Sequence, residues 1–227
     1  MREIILDTET TGFDPSSGDR IVEIGCIETH NHMSTGAVFH CYVDPERDMP
    51  EGAFAVHGLS SEFLSDKPKF AEIVDQFLEF IGDAPLVIHN AEFDLRFLDA
   101  EFALIGKPAI ERLRIIDTIT LARRRYPGAQ VSLDALCRRF EIDLTRREKH
   151  GALLDAELLA EVYLYLMGGR QPGLDLHVEA VKVDIPEAAN TKRPIRPARA
   201  HAPTSAEAEA HEALLDQITR PIWRSGI

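Results

Sequence analysis

The sequence predicts an α/β fold, with three antiparallel strands and then parallel strands in one mixed sheet flanked by helices. Three observations carry this. Three strand-like segments follow one another with only turn residues between them. Helical and short buried segments then alternate, as in units that build a parallel sheet. After Gly169 the composition changes and the apolar periodicity stops.

Segments 3–9, 20–29 ("RIVEIGCIET") and 38–44 ("VFHCYVD") read as strands, punctuated by glycine, asparagine and Asp-Pro. "FAEIVDQFLEFIG" (70–82) has helical spacing at Phe70, Ile73, Val74, Phe77, Leu78 and Ile81. "PLVIHN" (85–90) is a short buried strand, residues 92–106 a helix and "LRIID" (113–117) another strand. Helices follow at about 118–125, 132–140 and 152–169, the last stopped by Gly168-Gly169. Residues 1–170 thus form one domain. Residues 171–204 form a flexible linker: 186–203 is rich in proline and alanine, with Lys192, Arg193, Arg196 and Arg199 against Glu187 alone. Residues 205–227 form a tail whose helix opens on a Thr204/Glu207 capping box, runs to about 219 and ends at Arg220-Pro221. Its apolar stripe is thin: Leu214, Leu215 and Ile218, with Ile222 and Trp223 just beyond. So little apolar area leaves a short helix marginal on its own.

The chain has 227 residues, 44% of them hydrophobic, enough for a sizeable core. The formal charge of −13 argues against gathering nucleic acid by phosphate contacts alone. It suits an acidic metal footprint, or a protein brought to its substrate by a partner. Cys26, Cys41 and Cys137 make neither a zinc pattern nor a disulfide framework, so reduced thiols in a cytoplasmic protein are expected. The opening residues lack a signal-peptide core, and no apolar run is long enough to span a membrane.

The chemistry starts in "ILDTETTG". Strand side chains alternate faces, so Asp7 and Glu9 point the same way. Two carboxylates that close are costly unless a cation lies between them. Two more acids are placed to converge on them. Asp94 stands in the first turn of a helix just after a buried strand, with Asn90 as its cap, at the strand edge where α/β folds build sites. Asp155 interrupts an otherwise apolar helix. On one helix His150 would diverge from Asp155 by about 140°, so His150 belongs in the preceding loop, where Gly151 allows an unusual backbone. Four carboxylates without cysteine favour Mg²⁺ or Mn²⁺ over zinc. Two such ions suit phosphodiester hydrolysis, and a neutral histidine suits proton removal from water.

"LDTETTG", "HNAEFDLRFL" and "HGALLDA" resemble the three motifs of the DEDD exonuclease superfamily in its His-containing branch. "VHGLSSEFL", "SLDALCRRFEID", "HGALLDAELLAEVYLYLMGG" and "AHEALLD" extend the likeness, over nearly the whole chain, to the family of epsilon proofreading subunits of bacterial DNA polymerase III. The resemblance implies a ribonuclease H-like fold and 3′→5′ release of nucleoside 5′-monophosphates from a single-stranded or frayed DNA end. It implies that Asp7, Glu9, Asp94 and Asp155 hold two metals and that His150 is the general base. It also implies that the Thr10, Thr11 and Gly12 turn, Glu51 and His57 meet the terminal nucleotide. "PEGAFAVHG" carries one more residue between Glu51 and His57 than the family pattern has. The tail residues Leu214, Leu215, Ile218 and Trp223 would bind the polymerase catalytic subunit, and Gln171, Leu174 and Leu176 ("QPGLDL") fit a sliding-clamp motif.

Plainer roles compete at several positions. His89 is expected to buttress the site, bonded to backbone or a carboxylate, and Asp117 to cap a helix. Asp14 and Asp19 read as solvated loop charges. Phe13 could stack on a base or pack in the core, and Arg123–Arg125 could touch phosphate or end a solvated helix. Two rival functions share the motifs: an RNA-directed exonuclease and a non-catalytic polymerase scaffold.

Overall fold

The computed structural model describes residues 1–145, 149–169, 202–219, 221 and 224. Strand β1 (Arg2–Thr10) pairs antiparallel with β2 (Ile21–His30), and β2 pairs antiparallel with β3 (Met33–Tyr42). Helices α1 (Glu51–His57), α2 (Ser61–Leu64) and α3 (Phe70–Ile81) lead to β4 (Leu86–Ile88), parallel to β1. Helix α4 (Ala91–Leu104) leads to β5 (Ile115–Asp117), parallel to β4. Helices α5 (Thr118–Arg125), α6 (Leu133–Arg139) and α7 (Ala152–Leu166) follow. The sheet order is β3-β2-β1-β4-β5, the mixed α/β architecture expected.

The central strand explains the two-layer packing. Ile4 and Leu6 join a core with Phe70, Val74, Phe77, Leu95 and Leu98 of α3 and α4. Ile5, between them, joins a second core with Leu136, Leu159 and Val162 of α6 and α7. Covered on both faces, β1 reads as a continuous apolar run rather than an alternating one. A buried fork ties α4 to the sheet: Arg20 Nε and Nη2 lie 2.7 and 2.8 Å from the two oxygens of Glu101, which is 2% exposed.

Several local expectations need correction. β3 begins at Met33, five residues before the expected start, because a tight hairpin joins it to β2. Asn31 and His32 both take positive φ (51° and 67°), the backbone of the two-residue turn whose twist matches paired strands. Residues 33–37 (Met-Ser-Thr-Gly-Ala) are all exposed and show no apolar alternation. Helices α1 and α2 were not foreseen; each is too short for a periodic signal. Asp14 and Asp19 are not merely solvated. Asp14 caps a short 3-10 turn by accepting from Ser16 N at 3.0 Å. Asp19 accepts from Thr11 Oγ1 and Asp14 N and pairs with Arg47 at 2.8 Å.

The chain divides into two units, Met1–Leu176 and His177–Ile227. The second contains helix α8 (Ser205–Gln217), opened by the expected Thr204/Glu207 capping box. It stops at Gln217, short of the expected 219, with Ile218 back in extended conformation. Leu214 and Ile218 are exposed and Leu215 is buried. Gln171, Leu174, Leu176 and Trp223 lie outside the described residues, as does most of the 171–204 stretch read as a linker. Among the described residues no helix is long and apolar enough to cross a membrane.

Candidate active site

The site forms where β1 ends and two helices begin. Asp7 and Glu9 lie two apart on β1, both partly buried, and pair in register with Gly25 and Glu23 of β2. The register shifts between Glu9 and Thr10, a bulge that re-aims the end of the strand. Gly25 admits α7 from the other side. A Cβ there would stand 2.4 Å from Ala152 C and Leu153 N, so only glycine lets the first turn of α7 lie against the sheet. That turn carries Asp155, 4% exposed.

His150 sits in the loop before α7, as expected. Its backbone N donates to Val56 O at 3.3 Å, and its Nδ1 lies 3.2 Å from Asp155 Oδ2. Gly151 needs no special backbone, however: φ −160° and ψ 129° are ordinary extended values. Glu9, His150 and Asp155 present ligand atoms that all lie within 4.8 Å of one another.

Asp7 and Asp94 stand outside that cluster. Asp94 is 3% exposed in the first turn of α4, and its Oδ1 accepts from Thr8 N at 3.1 Å and Thr8 Oγ1 at 2.7 Å. Burial pushes its carboxyl up to about 7, and the Thr8 bonds only partly offset this. Asn90 stands at the N-cap position but makes no side-chain cap bond, because it adopts the left-handed conformation (φ 65°, ψ 52°). Asp117 does the capping expected of it. Its Oδ1 accepts from Ile119 N at 3.0 Å, and also from Asn90 N at 3.2 Å, joining the starts of α5 and α4. His89 Nδ1 meets the Thr118 hydroxyl at 2.9 Å.

A cleft of about 430 Å³ adjoins the carboxylates, lined in part by Thr10, Thr11, Gly12, Phe13, His57 and Phe93. Thr10 Oγ1 donates to Gly12 O at 2.7 Å and stiffens the turn. Phe13 is 82% exposed, so core packing is not its role. His57 Nδ1 accepts from Leu59 N at 3.0 Å, which leaves the proton of the neutral ring on Nε2. That nitrogen is buried with no partner of good geometry among the described residues; the Thr10 backbone is the polar group beside it. Burial lowers the pKa of the ring. Glu51 is exposed at the first position of α1 and does not line the cleft; its neighbours Gly52 and Ala53 do. Arg123–Arg125 are far from it all, since Arg125 Nη1 donates to Leu166 O at the opposite end of α7.

The donor set fits hard divalent cations. Among the described residues it is rich in carboxylate oxygen, holds one imidazole and no thiolate, and keeps the carboxyl of Asp94 buried, with its hydrogen bonds coming from Thr8.

A profile of the RNase_T exonuclease family matches residues 4–163. The DNA polymerase III subunit epsilon of Rickettsia typhi is 49% identical over 226 residues, covering 96% of this chain and 97% of the relative. The subunit of the same name from Escherichia coli K12 is 43% identical over 238 residues, covering 99% and 98%. Among solved structures, exonuclease X in complex with 5′-overhanging duplex DNA aligns with a TM-score of 0.58 at 27% identity, over 72% of this chain and 90% of that one. The nuclease domain of 3′hExo, a DEDDh family member bound to rAMP, aligns with a TM-score of 0.64 over 73% and 91%. At 16% identity that likeness speaks to the fold alone.

Proposed function

The chain belongs to the RNase_T exonuclease family and is related along almost its whole length to polymerase III epsilon subunits, and on that premise we propose that it is the 3′→5′ proofreading exonuclease of a replicative DNA polymerase. It removes the terminal nucleotide of a single-stranded or frayed 3′ end as a nucleoside 5′-monophosphate.

The observation that carries the reading is the convergence of Glu9, His150 and Asp155 within 4.8 Å. Asp7, Glu9, Asp94 and Asp155 would hold two divalent cations, Mg²⁺ or Mn²⁺. Bound there, the cations would supply acidification of a water and neutralisation of charge on the phosphodiester. His150 is placed to take a proton from an attacking water, and its contact with Asp155 orients the ring for this. Thr10, Thr11, Gly12 and His57 grip the terminal nucleotide, with the Nε2–H of His57, which has no hydrogen-bond partner of good geometry among the described residues, as a donor to an oxygen of the substrate. Phe13, exposed at the rim, offers a face for a base to stack on. Glu51, exposed at the start of α1 beside the cleft-lining Pro50 and Gly52, would meet the same nucleotide from the rim.

Acids at all four motif positions, with His150 in reach of Glu9 and Asp155, disfavour a non-catalytic scaffold. The tail favours the polymerase subunit over an RNA-trimming enzyme: Leu214, Leu215, Ile218 and Trp223 would engage the catalytic subunit. Gln171, Leu174 and Leu176 would engage the sliding clamp, which clamp pull-down with the Leu174/Leu176 double alanine variant tests. The function as a whole is tested by digesting matched DNA and RNA oligomers with wild type and Asp7→Ala. Faster digestion of DNA, lost in the variant, is expected; preference for RNA would assign the chain to the rival class.

A further inference from the structure

The family's chemistry lies at one end of α7, and a surface of opposite charge lies at the other. Residues 121–140 hold five arginines against one aspartate, Asp134, which pairs with Arg138 at 3.7 Å, in a chain of formal charge −13. Two helices end there. Arg123, Arg124 and Arg125 fill the last turn of α5, and Arg138 and Arg139 the last turn of α6. Arginines at helix C-termini offset the helix dipole, yet five on adjacent ends exceed what that needs. Aromatic rings knit the ends together. Arg139 lies 4.7 Å over Tyr126, Tyr126 lies 6.0 Å from Phe140, and Phe140 stacks on Tyr165 at 5.1 Å. Arg123, Arg124, Arg138, Tyr165 and Met167 are exposed. Exposed arginine beside tyrosine and methionine is the composition of an interface rather than of a plain solvated surface.

We infer that the ends of α5, α6 and α7 form a docking surface for an acidic protein face on the polymerase subunit, an inference that rests on the polymerase-subunit reading above. The position argues against nucleic acid. Eleven residues of helix separate Asp155 from Leu166, roughly 17 Å at 1.5 Å per residue. The cleft that would take the 3′ end opens on Thr8–Gly12, α1 and Phe93, none of which belongs to this surface. The position favours the tethered partner. The chain passes from Gly169, next to Tyr165 and Met167 in sequence, towards the segments read as partner-binding. A subunit held by the tail is kept at high effective concentration, and an added electrostatic contact fixes its orientation.

The test is the affinity of the full chain for the catalytic subunit of its cognate polymerase, in about 50 and about 300 mM NaCl, below and above the salt at which exposed charges are screened. Arg123→Glu/Arg124→Glu should weaken binding about tenfold or more at low salt and flatten the salt dependence. Arg123→Gln/Arg124→Gln should fall between the reversal and wild type. Hydrolysis of single-stranded DNA and the unfolding temperature should not change. Unchanged affinity in both variants, with wild type binding, overturns the surface and leaves the subunit reading standing. A raised KM for DNA with unchanged polymerase affinity assigns the surface to nucleic acid instead. Wild type that binds no polymerase overturns the subunit reading, and this surface with it.

Discussion

His150 Nδ1 stands 3.2 Å from Asp155 Oδ2, although on a continuous helix their side chains would point about 140° apart. The contact exists because α7 starts at Ala152 and leaves His150 in the loop, held by its N–H to Val56 O. A histidine so placed is oriented by the helix yet remains half exposed to water and substrate. His150→Ala is expected to lower kcat by about 10²–10⁴, the range for loss of a general base, with little change in KM. Single-turnover kinetics check this; an unchanged chemical step would remove His150 from proton transfer.

The carboxylates should act as one metal site. Asp7→Ala, Glu9→Ala, Asp94→Ala and Asp155→Ala are each expected to reduce cleavage to near background while circular dichroism stays native. Calorimetric titration with Mn²⁺ should show weakened or absent binding in each. Near-normal turnover in any two of the four would break the assignment.

Asp94 links the site to stability. Its folded-state pKa of about 7 lies above the ordinary 3.8. A raised carboxyl pKa contributes stability that is fully present below the unfolded value and is lost as pH rises through the folded one. The metal-free protein should therefore lose melting temperature between about pH 4 and pH 7 through this group. Asp94→Asn should recover that loss at pH 8 in chelator and change little at pH 4. Mg²⁺ should raise the wild-type melting temperature more at pH 8 than at pH 5. Parallel melting curves for wild type and variant across this range would show that Asp94 is not the group.

Gly25 tests how the site is built. With Ala152 and Leu153 backbone 2.4 Å from the new Cβ, Gly25→Ala must push α7 off β2 and carry Asp155 with it. A cost of about 1–3 kcal/mol is expected from overpacking, with a loss of kcat larger than any change in KM. Urea unfolding and steady-state kinetics together measure both. Native stability with full activity would mean that the helix moves freely there.

Much of this was legible in residue order. The paired Asp7 and Glu9 follow from strand alternation, the placement of His150 from helix geometry, and α3 from its regular apolar spacing. What was not legible depends on neighbours distant in sequence. Gly25 reads as one more strand residue until α7 is seen to press on it. Asp19 reads as solvated because its partners, Thr11 and Arg47, come from either side of a fold not yet formed. Asn90 reads as a side-chain cap, but its left-handed backbone makes no such bond, and its own N–H donates to Asp117, 27 residues on.

The tail should separate binding from catalysis. Deleting residues 205–227 is expected to leave hydrolysis of free single-stranded DNA nearly intact and to abolish stable polymerase binding. Trp223→Ala should weaken that binding by about 2 kcal/mol or more, as a hot spot does. Co-purification of the truncated protein at full stoichiometry would move the contact to the first unit.

The central claim is that this acidic site cuts DNA from the 3′ end with divalent metal. It is tested most directly by following a 5′-labelled single-stranded DNA oligomer with wild type and Glu9→Ala, in Mg²⁺ and in chelator. Wild type in Mg²⁺ alone is expected to give a ladder that shortens one nucleotide at a time from the 3′ end, with free nucleoside 5′-monophosphates. Degradation in chelator, activity retained by Glu9→Ala, or release of the labelled 5′ nucleotide as the first product would contradict it.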